Sequence, residues 1–301
     1  MAFNYATWLR QDLMPHIWCP GCGIGIVLKS VIRAMDSLGW DQDTIGFVSG
    51  IGCTSRAPGY ADMNTLHTTH GRALTFATGL KMAAPDKNVV VMAGDGDSAA
   101  IGGNHLIHSC RRNIDITMII VNNEIYGMTG GQFSPTTPSG ARAATAPYGN
   151  IDPGFDLCKL VIAAGATYVA RGHVANGVFL ERLIKNGMAH KGFSVIEVMS
   201  NCHTQYGRRN KHPDPAELVA HIASRAVTLK AWEKMEPEEK VGMYPIGLMH
   251  KDETRPEYSE SYYKLQVHAQ ERVRDASRKI VEAESLKPKP EAPGGASPFE
   301  V

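Results

Sequence analysis

A Gly94-Asp95-Gly96 turn closes the apolar run Asn88 to Ala93, and an Asn122-Asn123 pair closes the next such run, Ile116 to Val121. A carboxylate and a carboxamide at neighbouring strand ends are oxygen donors of the kind a magnesium ion takes while it is shared with phosphates. Both runs are short, rich in β-branched residues and not alternating, as in parallel strands buried on two faces, and Ser98 to Arg112 leaves room for a crossover helix. The two polar turns therefore belong at one edge of one sheet, where an open α/β sheet keeps its ligand crevice. Glycines beside Asp95 suit a backbone that must approach a phosphate and expose its amides. Read singly, Gly-Asp-Gly is a surface turn and Asn-Asn a loop; together, one crossover apart, they read as a place to hold a magnesium diphosphate. No G-x-x-x-x-G-K-S/T follows a strand and no G-x-G-x-x-G opens a helix, so the Walker and dinucleotide fingerprints are excluded.

The cysteines are the second chemical set. Cys19-Pro-Gly-Cys22 precedes a stretch in which Val27, Leu28, Val31, Ile32, Met35 and Leu38 recur at helical spacing, which places the pair at a helix amino terminus. The dipole and free amides there favour thiolates. Cys53 follows the apolar stretch Thr44 to Val48, and Cys202 follows the strand-like Phe193 to Met199. Two strand-end turns and a helix start can converge on one point, and four thiolates suit zinc or an iron-sulfur cube. Structural zinc more often takes two close-spaced pairs, so one pair with two distant singles ranks the cluster above zinc; a thioredoxin-like redox pair is a third reading of Cys19 and Cys22. Cys110 and Cys158 read as buried structural thiols.

The first set resembles the thiamine-diphosphate-binding motif. Ile125-Tyr-Gly-Met-Thr-Gly-Gly-Gln132 and Ser134-Pro-Thr-Thr-Pro138 narrow the resemblance to the beta subunits of 2-oxoacid:ferredoxin oxidoreductases. Trp18-Cys-Pro-Gly-Cys22 and the Cys53 to Tyr60 segment are more similar to the 2-oxoglutarate members than to the pyruvate ones. The resemblance implies a thiamine-diphosphate-binding fold. It also implies that Asp95, Asn123 and the Ile125 carbonyl bind Mg2+, and that Ile51, Gly52, Cys53, Thr54, His70, Gly94, Gly96, Asp97, Gly127 and Met128 line the cofactor. Cys19, Cys22, Cys53 and Cys202 would bind one 4Fe-4S cluster, although Asn201-Cys-His-Thr departs from the cysteine-proline form common in relatives. The activity implied is oxidative decarboxylation of 2-oxoglutarate to succinyl-CoA and carbon dioxide, with electrons leaving to ferredoxin, and the reaction can run toward carbon dioxide fixation. An alpha subunit would complete the site, in a heterotetramer of two alpha and two beta chains.

Two residues are candidates for contact with the reacting groups. His70, in His70-Gly71-Arg72, resembles the family's corresponding His-Gly-Arg. Arg56, three residues after Cys53, carries the group best shaped for a carboxylate, such as the distal end of 2-oxoglutarate, though a surface arginine is the commoner fate. The run Arg208, Arg209, Lys211 and His212 reads as a solvated loop, with a docking face for acidic ferredoxin or coenzyme A phosphates as the sharper alternative. Rival classes are a thiamine decarboxylase or synthase without electron transfer, a pyruvate or branched-chain enzyme of the same family, and a non-catalytic subunit with zinc on the cysteines.

These groups need a scaffold. From about Cys22 to Met199 the chain alternates helix and strand, the pattern of a doubly wound parallel sheet in an α/β fold. The expected organisation is a cofactor and iron-sulfur domain over 1–212, a C-terminal helical extension over 213–286 and a flexible tail over 287–301. Asp214-Pro215-Ala216-Glu217 is a helix start, and the helix is expected to run toward Glu233. A hydrophobic content of 43% is ample for a core, and 31 basic against 30 acidic residues suggest neither nucleic acid nor an anionic membrane as partner. Six cysteines in 301 residues make no disulfide scaffold. With no secretory signal and no run near the roughly 20 apolar residues of a membrane span, a cytoplasmic protein is expected.

Overall fold

Each apolar run identified above forms a central strand, because β-branched side chains on both faces can be buried only between two layers of helices. The structure, a computed structural model, describes residues 3–285. In chain order its regular elements are α1 (Ile24–Ser37), β1 (Ile45–Ser49), α2 (Ala57–Tyr60), β2 (Asn64–His67), α3 (Ala73–Ala83), β3 (Asn88–Gly94), α4 (Gly103–Arg112) and β4 (Thr117–Asn122). There follow α5 (Leu157–Ala163), β5 (Tyr168–His173), α6 (Gly177–Ala189), β6 (Ser194–Met199), α7 (Pro215–Ser224), β7 (Ala226–Thr228), α8 (Leu229–Trp232), β8 (Tyr244–Lys251) and α9 (Tyr258–Ser285).

Among the described residues the strands form an eight-stranded sheet in the order β2-β1-β3-β4-β6-β5-β8-β7. Neighbours run parallel except β5 and β8. Alternate strand residues serve opposite faces. Val90, Met92, Ile119 and Val121 join α1 and α6 in one core, while Val89, Val91, Met118 and Ile120 join α3, α4 and α5 in the other. Side chains buried as fully as Val90, Ile119 and Ile120 each contribute roughly 1.5–3 kcal/mol. The chain leaves β1 first for β2 on one side and then for β3 on the other, so the strand order reverses between β1 and β3. The carboxyl ends of strands at such a reversal form a crevice.

Beyond Met199 the structure differs from the sequence reading. Asp214 does cap a helix, its carboxylate accepting from the backbone of Ala216 and Glu217 at 2.8 and 2.9 Å, but α7 stops at Ser224. Ala226–Thr228 is then extended and pairs with Tyr244–Ile246, a long-range pairing that helical periodicity could not show. Residues 213–259, assigned from sequence to a helical extension, thus include two strands, and the first compact unit runs through Ser259. The second unit begins at Glu260 and carries the rest of α9, along which Leu265, Val267, Val273, Ile280 and Val281 are exposed. The tail assigned to 287–301 lies outside the described residues. No helix among them is long and apolar enough to cross a membrane.

Candidate active site

The register of β3 and β4 sets the crevice. Gly94 lies opposite Val121, so Asp95 and the Asn122-Asn123 pair emerge at the same rim. The Thr136 hydroxyl sits between them, 2.6 Å from Asp95 Oδ2 and 2.9 Å from Asn122 Oδ1. Ser134 donates a second hydroxyl to Asp95 Oδ2 at 2.6 Å. Asp95 is only 2% exposed, and burial raises its pKa, opposed by the Ser134 and Thr136 hydroxyls and the Gly96 amide. A carboxylate placed so deep with only neutral donors around it suits a cation, and Asn123, 8% exposed, lines the same crevice. Asn122 faces the other way: its amide donates to Glu197 Oε1 at 2.8 Å. Glu197 Oε2 in turn accepts from Arg171 Nε at 2.7 Å, and Arg171 reaches Asp156 at 2.5 Å. Burial opposes the Arg171 charge, but Glu197 and Asp156 hold its pKa above the ordinary value.

Ile51, Gly52, Cys53 and Thr54 after β1, His70, Gly94 to Asp97 after β3, and Asn123 with Ile125 to Thr129 after β4 line this crevice. Gly96 is dictated by packing, since a Cβ there would stand 2.3 Å from the Tyr126 ring. Asp97 ties the walls together. Its Oδ1 accepts from the Gly71 amide at 2.7 Å, the Ile51 amide at 3.3 Å and His70 Nδ1 at 2.5 Å, while Oδ2 is buried with no hydrogen-bond partner. That leaves His70 Nε2 as the ring nitrogen available to a ligand. A turn of π-helix, Gly96–Ile101, follows Asp95 directly, and a second, His203–Gly207, follows Cys202; such turns are rare and concentrate at functional sites.

Four sulfurs gather at one end of the crevice. Cys22 feels the charges of Cys202, Cys53 and Cys19, and Cys53 those of Cys202 and Cys19. Gly127 lies against them, where a Cβ would be 3.4 Å from Cys202 Sγ and 3.6 Å from Cys53 Sγ. At Cys22 burial outweighs the amino-terminal preference for thiolate and pushes the thiol up to about 12, and burial likewise pushes the Cys53 thiol up to about 11. Tetrahedral zinc, with Zn–S near 2.3 Å, holds its sulfurs about 3.8 Å apart. Among the described residues the one group of three donors within 4.8 Å of each other is Asp156, Cys158 and Glu197, where the Arg171 guanidinium already supplies the positive charge. No three of the four cysteine sulfurs lie within 4.8 Å of one another, wider than the spacing tetrahedral zinc imposes.

Asn201 holds this corner. Its side chain accepts from the Gly23 amide at 2.9 Å and donates to the Gly21 carbonyl at 2.9 Å, clamping the Cys19–Cys22 turn to the loop that carries Cys202. Gly21 adopts φ +83°, which the turn requires. Trp18 Nε1 donates to the Cys53 carbonyl at 2.7 Å, with its ring edge-on to Tyr60 at 5.2 Å.

Comparison with known proteins decides the family. Residues 50–198 match the model of the thiamine pyrophosphate enzyme C-terminal TPP-binding domain. The chain is 53% identical over 258 residues to 2-oxoglutarate synthase subunit KorB of Methanocaldococcus jannaschii, covering 86% of this chain and 95% of that one. The chain belongs to the beta subunits of 2-oxoglutarate:ferredoxin oxidoreductases. KorB of Methanothermobacter marburgensis is 52% identical over 86% of this chain and 90% of its own. A solved 2-oxoglutarate:ferredoxin oxidoreductase from Magnetococcus marinus, with 2-oxoglutarate, coenzyme A and succinyl-CoA bound, superposes with a TM-score of 0.80 at 32% identity, covering 95% of this chain and 97% of that one. A beta subunit implies an alpha partner, and the matched domain is one that binds thiamine diphosphate. Cys53, His70, Asp95 and Asn123 of this beta subunit fall inside the matched domain, whereas Cys19, Cys22 and Cys202 fall outside it.

Of the residues singled out from the sequence, Ile51 to Thr54, His70, Gly94 to Asp97, Asn123, Ile125, Gly127 and Met128 are brought together in the crevice. Arg56 is not: it is exposed on the turn Thr54–Arg56 and does not line the crevice. Cys110 and Cys158 are buried, Cys110 within the core of α3, α4 and α5. In the basic run, Arg209 donates to Gln205 at 2.7 Å and to the Gly130 carbonyl at 3.3 Å, so it braces the crevice loop instead of standing in solvent. Sequence reasoning missed Asn201, Tyr126 and the attachment of Ser134 and Thr136 to Asp95, because each acts across a long stretch of chain.

Proposed function

We propose that this beta subunit binds magnesium thiamine diphosphate through Asp95, Asn123 and the Ile125 carbonyl, and a 4Fe-4S cluster through Cys19, Cys22, Cys53 and Cys202. With its alpha partner it converts 2-oxoglutarate and coenzyme A to succinyl-CoA and carbon dioxide, and electrons pass through the cluster to ferredoxin. Two alpha and two beta chains form the working assembly. When bound, thiamine diphosphate would supply a carbanion-stabilising centre for decarboxylation, and a 4Fe-4S cluster would supply one-electron redox chemistry.

The chain's own residues hold and orient. Asp95, braced by Ser134 and Thr136, presents the charge that anchors the metal. Gly94, Gly96 and Gly127 let backbone approach the diphosphate, with Met128 beside it. Asp97 fixes His70, which offers Nε2 to the reacting end or to the phosphate. Arg56, exposed outside the crevice lining on the same turn as Thr54, would meet the distal carboxylate of 2-oxoglutarate only where the substrate reaches beyond that lining. The observation that carries this reading is the position of Cys53. It lines the crevice with Asp95 and Asn123 and interacts electrostatically with Cys19, Cys22 and Cys202, an arrangement that would set a cluster beside the cofactor.

The test is an anaerobic assay of the assembled complex with 2-oxoglutarate, pyruvate and branched 2-oxo acids, following coenzyme-A-dependent reduction of a viologen. The expected result is fastest reduction with 2-oxoglutarate. Decarboxylation with no dye reduction would point to a thiamine enzyme without electron transfer, and a preference for pyruvate would overturn the substrate assignment.

A further inference from the structure

Thr204 stands two residues after Cys202, inside the π-helical turn His203–Gly207. Its hydroxyl lies 3.7 Å from Cys202 Sγ and 3.9 Å from Cys19 Sγ, two sulfurs 183 positions apart in sequence that belong to different walls of the corner. The turn is pinned from both sides: the Cys202 carbonyl accepts from the Tyr206 and Gly207 amides at 2.9 and 3.0 Å, and Asn201 clamps the opposite wall. Thr204 is therefore delivered to the gap by backbone geometry and not by a free rotamer of a long side chain.

With both cysteines protonated, the Cys19 thiol can donate to Thr204 Oγ1 while the hydroxyl donates to Cys202 Sγ. Once the sulfurs are metal ligands they can only accept, so the hydroxyl proton points at one or the other. A hydrogen bond to a cluster sulfur favours the state with more negative charge on that sulfur, which is the reduced state. We propose that Thr204 is a positioning residue that donates to the cysteine ligands of the cluster and raises its reduction potential, easing electron transfer out of the neighbouring crevice. This rests on the 4Fe-4S reading of Cys19, Cys22, Cys53 and Cys202.

The test uses the anaerobically purified complex of this chain with its alpha partner. T204V removes the hydroxyl at nearly constant shape, T204S keeps it, and T204A removes it with less bulk. Iron and sulfide content is measured first, then the midpoint potential by redox titration followed by electron paramagnetic resonance. The expected result is unchanged cluster content with a midpoint lowered in T204V and T204A by about 59 mV, a tenfold loss in the one-electron reduction equilibrium, and T204S close to the parent. If T204V does not retain iron, T204A carries the comparison. Equal potentials in T204V, T204A and the parent would overturn the proposal, as would a shift in T204S as large as that in T204V, which would mark packing as the cause. Absence of iron and sulfide from the parent complex itself would instead sink the 4Fe-4S reading and this inference with it.

Discussion

The oxygen-lined and sulfur-lined halves of this site are built in opposite ways. Asp95 and Asn123 come from the ends of adjacent strands, β3 and β4, and the register of one pairing puts them on one rim. Their support is dense: Ser134 and Thr136 fix Asp95, and Asn122 rests on Glu197 and Arg171. The cysteines come from the start of α1, the loop after β1 and the loop after β6, and no strand pairing brings the first of these to the others. There the work falls to single side chains, Asn201 for the Cys19–Cys22 turn and Trp18 for Cys53. A site made by strand order is organised by the fold itself. One gathered from three loops depends on a few hydrogen bonds whose loss should be felt locally.

That contrast can be broken by making the halves fail separately. The largest effect is expected from removing a ligand. Cys22→Ser should abolish dye reduction by a factor on the order of 100 or more while thiamine diphosphate still binds, checked by iron analysis and calorimetry on one sample. Asp95→Asn should do the reverse, weakening magnesium-dependent cofactor binding by a similar order while iron content stays at the parent level. If either variant loses both groups, the halves are not independent. Next comes Asn201→Ala, which strips the buried Gly23 amide of its partner, at about 1–3 kcal/mol, and frees the Gly21 carbonyl on the exposed side of the turn. It should release iron to a chelator about tenfold faster without changing cofactor affinity. Asp97→Asn disturbs His70, the Gly71 amide and the Ile51 loop, and a loss in kcat of roughly tenfold at unchanged iron content is expected.

The smallest effect on either half should come from Asp115, just before β4 at the opposite edge of the sheet. Burial would raise its pKa, but Lys81 at 2.8 Å and Lys191 at 3.0 Å outweigh burial and hold it below the ordinary value. A lowered carboxyl pKa contributes stability above the unfolded value of about 3.9, and that contribution fades as the pH falls through the folded value. Asp115→Asn should therefore lower the melting temperature at pH 7, with the gap to the parent closing below about pH 4, and leave both cofactors bound.

The oxygen half was legible in sequence because its information is local: two buried runs, each ending in polar residues, one crossover apart. The periodicity of Val27, Leu28, Val31, Ile32 and Met35 likewise matches α1. The cysteines were legible as residues, but not their arrangement, since the Asn201 clamp spans most of the chain and asparagine in a loop carries no signal of its own. Burial was equally invisible. A helix amino terminus lowers a thiol pKa, and only the packing around Cys22 shows that desolvation is the larger influence. β7 and β8 escaped notice because an edge strand of three residues has no periodicity to read, and its partner is supplied from 18 positions away.

The central claim is that Asp95 and Asn123 jointly hold a divalent ion. Crystals of the assembled complex grown with thiamine diphosphate and Mn2+ in place of Mg2+ allow the ion to be located by its anomalous scattering. The account predicts one manganese peak in the crevice, within about 2.0–2.3 Å of an Asp95 carboxylate oxygen and the Asn123 carboxamide oxygen. A peak elsewhere, with Asp95 still bonded only to Ser134 and Thr136, would contradict it.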